Sequence, residues 1–152
     1  MARYVTTIDS PRAPEECFAQ LSDFSTAEQW DPGVVSARRT DHGELKVGSR
    51  FDLVAGFLGR EVPLTYEITE LEPPQRVVLR GENATVVSLD TITVEPGPGG
   101  GSRVTYDADL VLKGPLRVFD LGLRLVFGRI GDKAAAGLRE YLGAQVHAIT
   151  RS

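Results

Sequence analysis

The chain has 152 residues, the length of one ordinary domain, and its 41% hydrophobic and 25% charged residues match a globular composition. These values exclude a disordered or collagenous chain, and the single cysteine, Cys17, excludes an internal disulfide and most cysteine-based metal sites. The formal net charge of -4 argues against a nucleic-acid-binding protein, which normally carries a concentrated basic face.

The N-terminal segment predicts one strand followed by two short helices. Residues 3–9 alternate between the two faces of a strand. Pro14 suits the first position of a helix, because its backbone angle is already helical and no N–H is needed there. Ser25 and Glu28 have the spacing of a capping box for a second helix, which closes at Trp30 because an Asp-Pro pair follows.

The middle of the chain predicts six strands joined by tight turns. From Gly33 the apolar residues recur with a period of two, and turns rich in glycine or proline follow about every ten residues. This pattern is typical of an antiparallel meander. The predicted strands span residues 33–41, 49–56, 60–71, 75–82, 86–95 and 102–113.

The last part of the chain predicts one long amphipathic helix. Its apolar residues recur every three or four positions and share one stripe, which consists of Leu116, Phe119, Leu123, Phe127, Ile130, Ala134, Leu138 and Tyr141. Leu121 and Leu125 lie off this stripe, on a segment that carries net positive charge. They indicate a face that could dock a partner or form a homodimer.

Five glycines fall within this predicted helix, where each costs up to ~1 kcal/mol relative to alanine and therefore needs a reason. Gly131 and Gly137 lie on or near the stripe, where a missing side chain permits close approach to the sheet or leaves room for a ligand. Gly122, Gly128 and Gly143 point away from the stripe and are interpreted as bends.

Together the elements predict one α+β domain spanning residues 1–152. The apolar face of the sheet needs a cover, and the last helix is the only predicted element long enough to provide it. The expected architecture is a strongly bent antiparallel sheet of about seven strands, with two short helices and the long C-terminal helix packed over its concave face. Such packing leaves an apolar space between sheet and helix, where small molecules bind.

Several stretches of the chain are similar to a known family. They are APEECFAQLSDFSTAEQWDPGV, VGSRFDL, YEITELEPPQRVVLRGE, DTITVEPGPGGGSRVTYDADL and GPLRVFDLGLRLVFGRIGDKAAAGLREYL. Together they resemble the polyketide cyclase/dehydrase branch of the SRPBCC superfamily, whose relatives include START-like lipid-binding domains and the major pollen allergens. The resemblance covers almost the entire chain. It implies the helix-grip fold and a pocket for a hydrophobic molecule of polyketide, sterol-like or fatty-acyl type.

Pairing the predicted strands across their turns defines the concave face. Ile68 is expected opposite Leu79, Tyr66 opposite Gly81, and Ile92 opposite Tyr106. With the helix stripe, this facing predicts a ligand pocket lined by Trp30, Phe51, Leu53, Phe57, Val62, Leu64, Leu79, Ser88, Ile92, Phe119, Leu123, Phe127, Ile130 and Gly131.

Asp90 is the most informative polar residue on this face. An ionised carboxylate among apolar groups is costly unless it is paired, and such a group has a raised pKa that suits a general acid or base. A bulge in its strand would instead turn Asp90 outward and bring Leu89 inward. The sequence leaves both orientations open.

Arg60, Tyr66 and Tyr106 complete the candidate catalytic side chains. The cyclases that the chain resembles often place an arginine in the cavity, where its charge would stabilise an enolate, and Arg60 has the inward parity. An arginine beside a turn is also a common solvated surface charge. The two tyrosines could orient a polar ligand group, or they could serve core packing alone.

Trp30 and two turns are expected around the mouth of the pocket. The ring of Trp30 could stack on a ligand or pack between helix and strand. Phe57 and Leu58 are apolar residues in a tight turn between glycines. In related START-like folds this turn and the one near Asn83 flank the cavity mouth, so they are interpreted as a gate.

The remaining sequence patterns do not indicate a metal site, a cofactor site or a membrane segment. His42 lies in a polar turn and His147 near the chain end, so neither has the clustered partners of a metal site, and no phosphate loop or dinucleotide fingerprint occurs. We therefore expect no cofactor, no metal and no nucleic-acid partner. With no apolar run of signal or membrane length, we expect a cytoplasmic protein without an integral membrane segment.

The sequence and the family resemblance support two functional hypotheses. The first is binding of a hydrophobic small molecule in the cavity between the bent sheet and the C-terminal helix. The alternative is a polyketide aromatase/cyclase, which would catalyse aldol cyclisation and dehydration of a poly-β-keto chain in the same cavity. Since this fold hosts both binders and catalysts, the sequence does not decide whether the protein is an enzyme.

Overall fold

The structure, a computed structural model, describes residues 2–57, 59–115 and 120–143. Leu58, predicted at the mouth, and Phe119, predicted in the pocket, lie outside the described residues, as do His147 and the beginning of the predicted long helix. The side chains of Phe57, Leu121 and Leu125 also lie outside the described part of the chain.

Within the described residues, one antiparallel sheet of seven strands bends into a half-barrel, which confirms the predicted sheet. The strands are β1 (Ala2–Ser10), β2 (Val34–Arg39), β3 (Arg50–Phe57), β4 (Arg60–Glu72), β5 (Arg76–Glu82), β6 (Val86–Pro96) and β7 (Ser102–Leu112). Their spatial order is β1-β7-β6-β5-β4-β3-β2, so that the first two strands in the chain form the two edges of the sheet.

Three helices accompany the sheet, as predicted. Helices α1 (Pro14–Ser22) and α2 (Ala27–Trp30) connect β1 to β2, with a 3-10 turn at Phe24–Thr26 between them, and α3 (Asp120–Tyr141) follows β7. Helix α1 packs against β6, whereas α3 packs against β1 and α2. No helix in the described ranges combines the length and the apolar character needed to cross a bilayer.

The connection between α1 and α2 differs from the predicted capping box. Asp23 caps the 3-10 turn, because its Oδ1 accepts hydrogen bonds from the backbone N–H of Ser25 at 3.2 Å and from the hydroxyl of Ser25 at 2.6 Å. The Oε1 of Glu28 accepts the backbone N–H of Ala37 at 2.8 Å instead of capping the helix. Glu28 therefore ties α2 to the edge strand β2.

The strand register agrees with the predicted hairpins and decides the facing of β6. Ile68 lies opposite Leu79, and Ile92 lies opposite Tyr106. The register shifts occur in β2 and β4, whereas β6 pairs regularly with both of its neighbours. Without a bulge in β6, the side chain of Asp90 stays on the concave face.

The core fills the part of the concave face that lies under α1 and the 3-10 turn. The ring of Phe24 lies 6.4 Å from that of Phe51 and 4.9 Å from that of Tyr66, measured between centroids. The other large side chains that are completely or almost completely buried here are Ile8, Phe18, Leu21, Ile68, Val77, Leu79, Ile92, Val94 and Val104.

Two glycines allow α3 to lie directly on its neighbours. A Cβ atom at Gly131 would overlap the ring of Tyr4 on β1, and one at Gly137 would overlap the backbone carbonyl oxygen of Trp30. The hydroxyl of Tyr4 also donates to Oδ1 of Asp132 at 2.6 Å. Close contacts that need glycine therefore hold the second half of α3 at two points.

The other three glycines of this region have different roles. A Cβ atom at Gly122 or Gly128 would meet nothing within 4 Å, which agrees with their predicted outward facing. Gly143 lies beyond the end of α3 with a φ of +70°, and its N–H donates to the carbonyl oxygen of Glu140 at 3.1 Å. It ends the helix rather than bending it, because glycine adopts this left-handed conformation without steric cost.

Candidate functional site

A cavity of about 290 Å³ lies between the concave face of the sheet and α3. This volume is just below the ~300–1,000 Å³ typical of small-molecule sites. Aliphatic and aromatic side chains form most of its wall, and they come from every strand except β5, from the 3-10 turn, and from α2 and α3. The cavity therefore uses the part of the concave face that the core leaves unfilled.

Most of the residues predicted for the pocket lie in its wall. They are Trp30, Leu53, Val62, Leu64, Ser88, Leu123, Phe127, Ile130 and Gly131. Asp90, Tyr66 and Tyr106, predicted as catalytic candidates, lie in the same wall. The structure thus brings together the polar candidates of the sheet and the apolar stripe of the long helix.

Three predicted pocket residues lie elsewhere. Phe51, Leu79 and Ile92 have no exposed surface and belong to the core rather than to the cavity wall. They have the correct facing, but α1 packs against β6 and closes this end of the concave face. The prediction is corrected for these residues, because strand parity gives the face of a residue and not its position along the face.

Arg60 also lies outside the cavity wall. It is the first residue of β4, opposite Phe57, and its side chain is exposed. It has the inward parity of Val62 and Leu64, but only the latter two line the cavity. The structure therefore places Arg60 on the surface, in agreement with the solvated alternative.

Asp90 is buried in the cavity wall, with an exposed fraction of 5%. Its two carboxylate oxygens accept one hydrogen bond each, from the hydroxyl of Ser88 at 2.8 Å and from the hydroxyl of Tyr106. Burial raises the pKa of Asp90 from 3.8 to about 6, the two hydrogen bonds oppose this increase, and the negative charge of Asp31 adds to it. Asp90 can thus exchange a proton near neutral pH.

The two tyrosines beside Asp90 remain protonated. Burial, together with the charge of Asp90, raises the pKa of Tyr66 and of Tyr106 well above 10.0. The ring of Tyr66 lies across Gly81, where a Cβ atom would come within 2.5 Å of it. Because Gly81 has no side chain, the ring of Tyr66 can occupy this position in the wall.

Asp31 is a second acidic residue in the wall, and sequence reasoning missed it. Its Oδ1 accepts the backbone N–H of Gly33 at 2.8 Å, and burial raises its pKa above 3.8. The preceding residue, Trp30, packs edge-on against Tyr106 with 5.6 Å between ring centroids. The end of α2 therefore lies beside the hydrogen bond between Tyr106 and Asp90. Sequence reasoning missed Asp31 because an Asp-Pro pair predicts only the end of a helix.

The two turns predicted as a gate border the cavity. Gly56 in the β3–β4 hairpin and Thr85 in the β5–β6 hairpin both contribute to the wall. The side-chain amide of Asn83 donates to the carbonyl oxygen of Pro63 at 2.9 Å and thus links the second turn to β4. A gating role for these turns stays a prediction.

Nothing in the described part of the chain resembles a metal site, since no group of three His, Cys, Asp or Glu side chains has suitable geometry there. The polar side chains among the wall residues are two aspartates, three tyrosines, Ser88, two threonines and Trp30, in an apolar surrounding.

Comparisons with known proteins agree with this architecture. The sequence profile of one family, described as polyketide cyclase / dehydrase and lipid transport, matches residues 1–143. An uncharacterized protein of Mycobacterium tuberculosis is 26% identical over 140 residues, which cover 91% of this chain and 90% of that protein.

Solved structures show the same fold. A START superfamily protein from Mycobacterium smegmatis is similar with a TM-score of 0.76 and 12% identity, over 94% of this chain and 98% of that one. A protein of Thermus thermophilus is similar with a TM-score of 0.70 and 20% identity, over 93% of this chain and 95% of that one. At these identities the likeness establishes the fold alone, which is the predicted helix-grip fold.

Proposed function

This chain belongs to the polyketide cyclase/dehydrase and lipid transport family, and from that membership we propose that its cavity binds a hydrophobic small molecule. The observation that carries the proposal is the apolar cavity between sheet and α3. Burial of apolar ligand surface in such a space contributes about 25 cal/mol per Å². The family and the cavity thus support the same function.

The shape of the wall supports binding over a purely structural role for the cavity. Gly131 and Gly137 fix the distance between α3 and its neighbours, and small residues of the wall such as Ala108 and Ala134 leave space that larger side chains would fill. Cores are normally packed without voids of this size. A space kept open by small residues is typical of a binding site.

Filling the cavity is expected to abolish binding. Ala108 on β7 lies in the wall between Tyr4 and Asp90 of the neighbouring strands, so the ring of Ala108→Phe would occupy the cavity. We expect this variant to bind the neutral fluorescent probe N-phenyl-1-naphthylamine at least ~tenfold more weakly than the wild type. The measurement is a titration followed by probe emission and by the emission of Trp30, the single tryptophan of the chain.

Val87→Phe is the matched control for this experiment. Val87 is a neighbour of Ser88 on β6 that points to the opposite face of the sheet and is absent from the cavity wall. The control variant is expected to bind the probe as the wild type does. Equal binding by Ala108→Phe and the wild type would contradict the proposal, because the probe would then bind outside the cavity.

An aromatase/cyclase activity on a poly-β-keto chain is a second candidate, which the position of Asp90 favours. A general base works best with a pKa near the working pH, and that of Asp90 is about 6. Asp90 would remove a proton from a carbon between two carbonyls, and the resulting enolate would attack another carbonyl of the folded chain. The proton would return to the new alkoxide, with Tyr66 donating a hydrogen bond to the developing charge while Tyr106 keeps its hydrogen bond to Asp90.

The product profile of a minimal polyketide synthase incubated with this protein tests the second candidate. If the protein is a cyclase, Asp90→Asn is expected to lower the rate of formation of the cyclised product by ~10²–10⁴-fold, because the amide cannot accept the proton. Arg60→Ala is expected to leave the products unchanged, since this side chain is exposed outside the wall. Identical products with Asp90→Asn and the wild type would exclude Asp90 as the base.

A further inference from the structure

We propose that the cavity selects an apolar amine, whose ammonium group lies beside Asp31 and Asp90, and that it disfavours fatty acids and other carboxylate ligands. This inference rests on the proposed binding function and names the chemical class of its ligand. Three observations support it: the charges of the cavity wall, the hydrogen bonds of the two carboxylates, and the position of the two carboxylates on either side of the contact between Trp30 and Tyr106.

All charged side chains in the described cavity wall are acidic. The described wall residues include Asp31 and Asp90 but no lysine, arginine or histidine. A ligand carboxylate placed there would face two like charges at low dielectric and would find no cation. A ligand ammonium group would instead compensate the cost of burying the carboxylates.

The two carboxylates keep capacity for further hydrogen bonds. Each ionised carboxylate can accept about four hydrogen bonds. Asp90 accepts one bond from Ser88 and one from Tyr106, and Asp31 accepts the backbone N–H of Gly33. An ammonium group carries three donors on one atom, so that one ligand nitrogen could serve both residues.

The fold brings the two acidic residues to one part of the cavity. Asp31 directly follows Trp30, whose ring packs edge-on against Tyr106, and the hydroxyl of Tyr106 donates to Asp90. Burial is the main cause of the raised pKa of Asp90, and the negative charge of Asp31 adds to it. The ammonium position is therefore next to the rings of Trp30 and Tyr106, which add cation–π attraction.

The rest of the wall requires an apolar ligand body. From the acidic end, aliphatic and aromatic side chains of the sheet and of α3 continue the wall, including Leu64, Leu110 and Phe127. A hydrophilic amine such as a short diamine has no group to place there. The expected ligand thus has one cationic end and one apolar body.

The test compares three unbranched probes of eight carbons that differ in the end group: octylamine, 1-octanol and octanoate. Affinities are measured at pH 7 by displacement of N-phenyl-1-naphthylamine from the full chain. We expect octylamine to bind at least ~tenfold more tightly than octanoate, with 1-octanol between them. This comparison needs only the wild-type protein, so it does not depend on whether a variant folds.

Variants then assign the preference to the two residues. Asp90→Asn and Asp31→Asn are each expected to reduce the ratio of octylamine to octanoate affinity at least ~fivefold, with 1-octanol affinity changed less. Asp52→Asn is the matched control, because Asp52 is an exposed residue of β3 that is absent from the cavity wall. The substitution removes the same unit of charge as the two test variants do. The control is expected to keep the wild-type ratio.

A pH series supplies an independent readout. Ionisation of Asp90 is coupled to Asp31 at the end of α2, to Tyr66 on β4, and to Tyr106 and Asp109 on β7. The affinity for octylamine is expected to rise from pH 5 to pH 7 as Asp90 loses its proton. The same series with Asp90→Asn is expected to be flatter.

The outcomes separate this inference from the function on which it rests. Octanoate binding as tightly as octylamine, or an amine preference that Asp90→Asn and Asp31→Asn both retain, would overturn the ligand class. If 1-octanol and the naphthylamine probe bind in that case, the binding function itself stands. If none of the probes binds, the proposed function fails and the inference fails with it.

Discussion

Gly137→Ala is expected to lower the free energy of unfolding by about 2 kcal/mol or more, although alanine is the better helix former. The new Cβ atom would overlap the backbone carbonyl oxygen of Trp30, and a backbone atom cannot rotate away as a side chain does. Either α3 or α2 has to move. Because both elements contribute to the cavity wall, binding of N-phenyl-1-naphthylamine is expected to weaken as well.

Gly128→Ala supplies the matched comparison on the same helix. Its Cβ atom would meet nothing within 4 Å, so the variant is expected to gain up to ~1 kcal/mol from helix propensity alone. Urea unfolding of both variants and of the wild type measures these opposite changes. If Gly137→Ala were as stable as Gly128→Ala, the contact between α3 and the Trp30 carbonyl would not require glycine at position 137.

Between pH 4 and pH 7, the stability of the wild type relative to Asp90→Asn is expected to fall by up to about 3 kcal/mol. Burial raises the pKa of Asp90 from 3.8 to about 6, so the folded state holds this proton more tightly than the unfolded state does. The stabilising contribution is therefore present in full below about pH 4. It is lost as the pH rises through about 6, where the buried carboxylate becomes charged.

The measurement is the difference in unfolding free energy between the wild type and Asp90→Asn at several pH values. The difference is needed because Asp41, whose pKa is lowered mainly by the guanidinium of Arg39, changes stability in the opposite direction in both proteins. Parallel curves for Asp90→Asn and the wild type would show that the carboxyl group is not perturbed by burial.

The sheet could be predicted from sequence because its signals are local. Alternating apolar residues and turns rich in glycine and proline gave a start at residue 60 for β4 and an end at residue 82 for β5, and the structure has the same boundaries. The register followed from the short hairpins, which leave few pairings possible. The capping of the α1–α2 connection differed, because Asp23 replaces Ser25 as the cap.

The site could be predicted less completely, because it depends on contacts between distant segments. Phe51 and Leu53 have the same parity on β3, yet the first lies in the core and the second in the cavity wall. What separates them is the position of the helical connection above the sheet, which no periodicity encodes. Asp31 was missed for a related reason. Pro32 alone explains why α2 ends, so no local pattern indicates a role for the aspartate before it.

The contacts of α3 also bear on attempts to redesign the cavity. Gly131 and Gly137 meet an aromatic ring and a backbone carbonyl, so substitutions there change the position of the whole helix rather than the volume beside one side chain. Residues of the sheet such as Val62 and Leu110 face the same space from strands that are hydrogen-bonded on both sides. An engineer who wants a larger or differently shaped ligand should therefore vary the sheet positions and keep both glycines.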